Sequence, residues 1–137
     1  MSGLDRFVPA QEGIYEQALT ELRAGAKRSH WIWFVFPQLA GLGRSETARF
    51  YAIADAAEAR AYLAHRLLGL RLAKCTDAML GWAGRRSAQD ILGPVDALKF
   101  ASSMTLFEAC GGGERFGKAL DAFHGGERDR RTLDLLG

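Results

Sequence analysis

One apolar run constrains the fold of this chain more than any other feature. Residues 31–36 read Trp-Ile-Trp-Phe-Val-Phe, so four of the six side chains are aromatic. Each aromatic can bury on the order of 150–250 Å², and the run is therefore expected at the centre of the hydrophobic core. Lys27-Arg28 precedes it and Pro37-Gln38 follows it. Polar residues next to the run would be held against the core, where a binding pocket can form.

The length and composition are those of a single globular domain. A chain of 137 residues can bury roughly two thirds of the surface that its unfolded form exposes. Its content of 48% hydrophobic and 25% charged residues is ordinary for such proteins. We expect residues 1–137 to form one domain.

Charge and hydropathy exclude several partners. The formal net charge of +2 is too small to favour nucleic acid, which usually selects a strong basic excess or a one-sided basic patch. The N-terminus has no signal-peptide core, and no run approaches the ~18 apolar residues of a membrane span. We therefore expect a cytoplasmic protein that does not bind membranes. Nucleic-acid binding, a third interpretation of the function, is weakened by the low charge; it would use Lys27, Arg28, Arg44, Arg85 and Arg86. The composition says nothing about oligomeric state.

Apolar residues recur at spacings of three and four through most of the chain, which is the pattern of amphipathic helices. The first such stripe predicts a helix at about residues 9–24, although Gly13 interrupts it. Residues that commonly cap helix N-termini precede the later stripes: Ser45, whose helix would run to about residue 54, Asp55 with Glu58, Ser87 with Asp90, and Asp96.

The central run itself is compatible with a strand or a helix. Its aromatics and Val35 favour a strand, whereas Ser29 as an N-cap and Pro37 as a terminator favour a short helix. The rest of the chain offers no convincing partner strands, and a lone strand would leave its backbone groups unpaired. We therefore predict a short buried helix here. The fold class predicted for the whole chain is all-α, a compact single domain of about seven or eight short helices.

Several strings of the chain resemble a bacterial family known as domain of unknown function 1810, whose members are often labelled calpastatin. The strings are Lys-Arg-Ser-His-Trp-Ile-Trp-Phe-Val-Phe-Pro-Gln-Leu at 27–39, Tyr-Ala-Ile at 51–53, Glu-Ala-Arg-Ala-Tyr-Leu-Ala-His at 58–65, and Leu-Lys-Phe-Ala-Ser-Ser-Met-Thr-Leu-Phe at 98–107. The resemblance extends from Arg6 to Leu133 and implies a small all-helical domain. It implies no established activity and therefore no functional residues. The family's motif usually reads His-Pro at 65–66, whereas this chain has Arg66 in place of the proline. The backbone is therefore less strongly constrained to bend after His65.

Motifs for metal binding and nucleophilic catalysis do not occur in the sequence. There is no Cys-x-x-Cys, His-Glu-x-x-His or Glu-x-x-His to hold a metal, and no Gly-x-Ser-x-Gly elbow. Cys75 and Cys110 both fall in helix-like apolar patterns, which predicts buried, reduced thiols. We expect no metal site and no cofactor, and the sequence identifies no reaction.

The residues around the aromatic run are the first candidates for a binding site. His30, Trp31 and Trp33 beside Lys27 and Arg28 have the composition of a stacking platform with a cationic rim, which suits a base or a nucleotide. The alternative is that both tryptophans belong to the core and the basic pair is a solvated face.

A second candidate cluster contains Lys99, Ser102, Ser103 and Thr105. On a helix the first three project from one side, at spacings of three and four. Hydroxyl groups lower helix propensity, so this cluster needs some compensation. An anion held by Lys99 and the hydroxyls would supply it. Equally, the hydroxyls could bond back to helix carbonyls, and their small size would permit close helix packing.

Three further polar residues adjoin the predicted core. His65 follows a capped helix, where it would interact with the C-terminal carbonyls or act as an acid or base near neutral pH. Gln38 and Arg44 lie in loop segments, where binding groups usually occur.

Together these candidates predict a cleft between residues 30–38 and a helix at 96–110. It would bind a small anionic or nucleotide-like ligand through His30, Lys99 and Ser103, with Trp31 or Trp33 as a stacking wall. If the protein is an enzyme, His30 or His65 would carry the proton. The alternative function is a non-catalytic helical module for protein–protein interaction, with exposed aromatics as its partner surface.

Overall fold

The computed structural model describes residues 3–137. Within this range the chain forms one 3₁₀ turn and ten short α-helices, with an isolated β-bridge between Leu39 and Ile53 and no longer strand. The all-α prediction is confirmed, with more helices than the seven or eight expected. The 3₁₀ turn is Gly3–Arg6, and the helices are α1 (Phe7–Gln11), α2 (Ile14–Arg23), α3 (Ile32–Val35), α4 (Glu46–Phe50), α5 (Ala56–Ala64), α6 (Leu68–Leu80), α7 (Ala88–Leu92), α8 (Pro94–Ala109), α9 (Glu114–Phe123) and α10 (Arg130–Leu136).

The predicted helix at 9–24 is in fact two helices, α1 and α2. Gly13 separates them with a φ of 74°, a left-handed conformation that residues with a side chain rarely adopt. The prediction was wrong because α1 and α2 contact each other and both bury apolar side chains in the same core. An apolar stripe can continue across such a turn and conceal the break.

Most of the predicted helix starts are confirmed. Ser45, Asp55 and Ser87 each accept a hydrogen bond from the backbone N–H three residues further on. The helix after Ser45 is shorter than predicted and ends at Phe50. The chain then turns to form the bridge at Ile53.

Two cap predictions were wrong. Asp96 does not cap α8, because that helix already begins at Pro94, a residue that suits the first helical position. Asp96 therefore lies within the first turn. Ser29 does not cap α3 either, since the N-cap position is Trp31 and Ser29 instead donates a hydrogen bond to Glu21.

The aromatic run forms the centre of the core, as predicted, and its residues Ile32–Val35 form the short helix α3. Trp31, Ile32 and Phe36 are buried, and α3 contacts α1, α6 and α8. Trp33 is only partly buried. The run thus supports the core on one side and presents one indole towards the surface on the other.

The longest helix, α8, organises the second half of the chain. It contacts α3, α5, α7, α9 and α10, and most of its central residues are buried. Its N-terminal turn lies opposite the polar residues that precede α3. In the described part of the chain no helix has the length and apolar character that crossing a membrane requires.

Candidate functional site

A cleft separates the segment around α3 from the N-terminal half of α8, and it consists of two adjoining pockets. The first pocket has a volume of about 300 Å³ and contains the polar side chains of Lys27, His30, Trp33 and Asp96. The second pocket has a volume of about 280 Å³. Val95 borders both pockets. The polar residues of the second pocket are Gln38, Lys99, Ser102, Asp129 and Arg131.

Two lysines from distant parts of the sequence meet at one carboxylate in this cleft. Lys27 Nζ lies 2.8 Å from Asp96 Oδ2, and Lys99 Nζ lies 3.8 Å from Asp96 Oδ1. Only 9% of the Lys27 side chain is exposed, so its charge is largely removed from water. The three groups together carry a formal charge of +1.

Each lysine also lies over the face of an indole ring. Lys27 Nζ is 5.2 Å from the ring centre of Trp31, and Lys99 Nζ is 5.0 Å from that of Trp33. Cation–π contacts of this kind attract an ammonium group to the face of the ring and hold it in place. Of the basic pair that the sequence predicted as a rim, Lys27 therefore packs against the aromatic run, whereas Arg28 is exposed.

The loop that carries Lys27 and His30 is held by a buried carboxylate that the sequence reasoning missed. Glu21 Oε1 accepts hydrogen bonds from the backbone N–H groups of Arg28 (2.7 Å) and Ser29 (3.1 Å) and from Trp31 Nε1 (3.0 Å). Glu21 Oε2 accepts from Ser29 Oγ (2.6 Å) and Gln17 Nε2 (3.1 Å). One side chain of α2 thus fixes the backbone on which the first pocket depends.

The environment of Glu21 keeps it ionised. Desolvation by burial would raise its pKa, but the hydrogen bonds from Ser29, Arg28, Trp31 and Gln17 outweigh burial and lower the pKa to about 2. A signal existed in the sequence, because Glu21 follows Ala18 by three residues and adjoins Leu22 on the apolar stripe. A charge at such a position needs buried partners.

The two tryptophans occupy different environments. Trp31 is fully buried, and its indole N–H is engaged by Glu21, so this ring belongs to the core. Trp33 is half-buried and lines the first pocket beside the exposed His30. Of the two predicted stacking residues, only Trp33 presents a surface to the cleft.

Two of the hydroxyls on α8 serve mainly to hold the start of α10. Ser102 Oγ lies 3.2 Å from both the Leu98 carbonyl oxygen and Asp129 Oδ2. Thr105 Oγ1 donates to the Ala101 carbonyl (2.8 Å) and accepts from the Asp129 backbone N–H (2.9 Å). This is the back-bonding arrangement that compensates hydroxyls within a helix. Ser102 still reaches the second pocket, whereas Thr105 does not line it.

Ser103 is fully buried and lines neither pocket of the cleft. Among the described residues its Oγ has no hydrogen-bond partner. Ser103 therefore has a packing role, in which its small side chain lets neighbouring helices pack closely. Its hydroxyl group does not contribute to the cleft.

The packing role of Ser103 makes a testable prediction. Ser103→Leu should destabilise the fold by about 1–3 kcal/mol, since overpacking forces neighbouring side chains out of their preferred rotamers. Ser103→Ala should be neutral or slightly stabilising, because it removes a buried hydroxyl without a partner. Urea denaturation of both variants measures the difference. Equal effects of the two substitutions would contradict this packing role.

His65 and Arg44 lie away from the cleft and line neither pocket. The Nδ1 atom of His65 accepts hydrogen bonds from the backbone N–H groups of Leu67 and Leu68, both at 3.2 Å. The ring therefore caps the start of α6. The sequence predicted that the ring would interact with the carbonyls that end α5, but its Nδ1 atom instead accepts from the N–H groups at the start of the next helix. Arg44 is exposed in its loop.

Three polar residues of the cleft were not assigned to the site from the sequence: Asp96, Asp129 and Arg131. Asp96 precedes Lys99 by three residues on α8, a spacing that indicates an ion pair on a helix and could have been recognised. Arg131 had no such signal. It reaches the second pocket only because α10 packs against α8.

Both thiols lie outside the two pockets of the cleft. Cys75 and Cys110 are both buried and unpaired, as predicted. Burial raises the pKa of Cys75 to about 12, so this thiol is not a nucleophile near neutral pH. No group of three or more His, Cys, Asp or Glu side chains in this range could hold a metal ion.

Comparison with known proteins agrees with the fold. The chain is similar to the conserved hypothetical protein Rv1873 from Mycobacterium tuberculosis, whose crystal structure superimposes with a TM-score of 0.95 at 49% sequence identity. The alignment covers 98% of this chain and 96% of the mycobacterial one. No curated protein matches the chain. The profile of the family described as "Protein of unknown function (DUF1810)" matches residues 1–136, and the chain therefore belongs to the DUF1810 family.

Proposed function

We propose that the protein binds a small anionic or nucleotide-like ligand in the cleft between residues 30–38 and α8. The observation that carries this proposal is the convergence of Lys27 and Lys99 on Asp96 beside the partly exposed ring of Trp33. Two ammonium groups held by aromatic faces suit an anion, and an indole wall suits a planar ring. The pocket volume is at the lower end of the range for small-molecule sites.

Each group in the cleft has a distinct role in this proposal. Lys99 and Lys27 supply the positive charge, and Trp33 supplies the stacking face. His30, exposed at the edge of the first pocket, is the group able to exchange a proton with a bound ligand. Gln38 and Ser102 offer polar contacts from the second pocket.

A thermal-shift screen with nucleotides and sugar phosphates tests the proposal. A ligand that binds only the folded state raises stability by about 2.7 kcal/mol at a hundredfold excess over its Kd. We expect at least one such compound to raise the melting temperature of the wild type. Lys99→Ala should lose this shift and keep the fold, because Lys99 is partly exposed and its ion pair with Asp96 is long, at 3.8 Å.

Lys118→Ala is the matched control for this experiment. Lys118 also pairs with a carboxylate one helical turn away at 3.8 Å, that of Glu114, but on α9 and outside the cleft. The ligand should still raise the melting temperature of this variant. A wild type that responds to no phosphate-bearing compound would contradict the proposal, and so would an equal loss in both lysine variants.

One observation favours the alternative function, a non-catalytic interaction module. Val95 and Leu98 at the edge of the cleft are 64% and 69% exposed, although both are large apolar side chains. An exposed apolar surface of this kind suits a protein partner. This alternative predicts that no compound in the screen raises the melting temperature. It also predicts concentration-dependent association in sedimentation velocity, which Leu98→Glu should abolish.

A further inference from the structure

We propose that Asp96 is an internal counter-anion that occupies the ligand's anionic position and selects ligands with a dianionic phosphoryl group. This inference rests on the proposed function, since it concerns the same cleft. It adds the chemical class of the anion and a residue that determines specificity.

The geometry places the Asp96 carboxylate where the anionic group of a ligand would lie. Its two oxygens face different lysines, with Oδ2 at 2.8 Å from Lys27 Nζ and Oδ1 at 3.8 Å from Lys99 Nζ. A ligand anion that bridged the same two ammonium groups would take over these contacts. The carboxylate and a bound anion therefore compete for one place.

The burial of Lys27 makes this competition unavoidable. With only 9% of its side chain exposed, the ammonium group has little access to water, and a buried charge without a partner is strongly unfavourable. Either Asp96 or a ligand must neutralise it. Asp96 is more exposed, at 18%, and lies in the first turn of α8, so its side chain can rotate towards solvent when a ligand arrives.

Charge then decides which anions can displace Asp96. A ligand carboxylate exchanges one negative charge for another and gains nothing from the two lysines. A phosphoryl dianion matches both positive charges and brings three acceptor oxygens. The remaining carboxylate of the cleft, Asp129, already accepts hydrogen bonds from Thr132 and does not compete for either lysine.

Isothermal titration of wild type and Asp96→Asn with inorganic phosphate and with acetate, at about pH 8 where phosphate is mainly dianionic, tests the inference. The wild type should bind phosphate and show no measurable affinity for acetate. The variant should bind phosphate about tenfold or more tightly than the wild type, because a competing like charge is gone. It should also gain acetate binding, since acetate restores the missing carboxylate.

Glu114→Gln is the matched control variant. It removes a carboxylate from the first turn of α9, paired to its lysine at the same 3.8 Å distance but remote from the cleft. Its affinities for phosphate and acetate should equal those of the wild type.

The possible outcomes separate this inference from the proposed function. If the wild type binds phosphate and Asp96→Asn binds it equally or more weakly, Asp96 is not a competitor and only this inference is overturned. If neither protein binds phosphate, this inference is overturned, whereas the proposed function is overturned only if the thermal-shift screen also finds no stabilising nucleotide or sugar phosphate. Acetate binding by the wild type would contradict the selection of dianions.

Asp96→Asn leaves the buried charge of Lys27 without a counter-ion and could prevent folding. In that case a double variant keeps the inference testable. Lys27→Met removes the buried charge, and Lys99 remains as the cation of the cleft. Adding Asp96→Asn to Lys27→Met should raise phosphate affinity about threefold or more, because Lys99 no longer shares its charge with a carboxylate. An unchanged or reduced affinity in the double variant would overturn the inference.

Discussion

Replacing Phe36 with alanine should destabilise the protein by about 3–5 kcal/mol, as expected for a large aromatic removed from a close-packed core. Phe36 is fully buried. Its ring packs edge-on against Phe100 at a centroid distance of 4.9 Å and lies 6.2 Å from Trp31. The cavity would open between α3 and α8, the two helices that flank the cleft. Urea denaturation gives the change in the free energy of unfolding.

Phe50→Ala is the control for that measurement. Phe50 is 59% exposed, and its removal should change the free energy of unfolding by no more than about 0.5 kcal/mol. A cost below about 1 kcal/mol for Phe36→Ala would mean that residues 31–36 are not the centre of the fold.

Replacing Glu21 with alanine should cost about 3 kcal/mol or more. The substitution leaves the buried Trp31 Nε1 without its acceptor, and an unsatisfied buried donor costs about 1–3 kcal/mol. The part-buried backbone N–H groups of Arg28 and Ser29 lose their acceptor as well and add to this cost. The loop from Lys27 to His30 would lose its anchor at the same time. We therefore expect any phosphate-bearing ligand of the cleft to bind more weakly to Glu21→Ala as well.

The same carboxylate predicts a specific pH dependence. Its pKa is lowered from 4.5 to about 2 in the folded protein, so the unfolded state binds the proton more readily. The stability from Glu21 is fully present above about pH 4.5 and is lost as the pH falls towards 2. A pKa shift of this size corresponds to about 3 kcal/mol in the free energy of unfolding.

The measurement is the free energy of unfolding of wild type and Glu21→Gln between neutral pH and about pH 2. The wild type should lose stability more steeply below about pH 4.5, since the amide does not titrate. Glu16→Gln, an exposed position on the same helix, should follow the wild-type profile. Parallel profiles for wild type and Glu21→Gln would contradict the lowered pKa.

Local patterns predicted the fold class because helix caps and apolar stripes at helical spacing are features of short segments of the chain. The caps at Asp55 and Ser87 were recognisable from an acidic residue three positions further on, and the cap at Ser45 from its residue type. The central place of residues 31–36 followed from their composition, although Trp33 and Phe34 are only partly buried. The break at Gly13 was missed because an apolar stripe records which side chains face the core. It does not record whether the backbone between them stays helical.

The candidate site was predictable only in part. The sequence indicated Lys27, His30 and Trp33 as a group and Lys99 with Ser102 as another, and it placed them on two sides of one cleft. It did not separate Trp31 from Trp33, although one ring is core and the other lines a pocket. Neighbouring residues near the start of a short helix face different directions, and no periodicity is long enough there to assign them.

The sequence by itself determined that the chain is all-α, that the aromatic run is its core and that basic and hydroxyl groups adjoin that core. Only the tertiary structure decided that Lys27 and Lys99 meet at Asp96 and that Glu21 holds the loop before α3. It also decided that Ser102 and Thr105 form hydrogen bonds to Asp129 at the start of α10, whereas Ser103 is fully buried in the core. Spacing along a helix specifies the face on which a residue lies. The partner of a buried charge depends on how the helices pack, which is set by the whole core and not by any one segment.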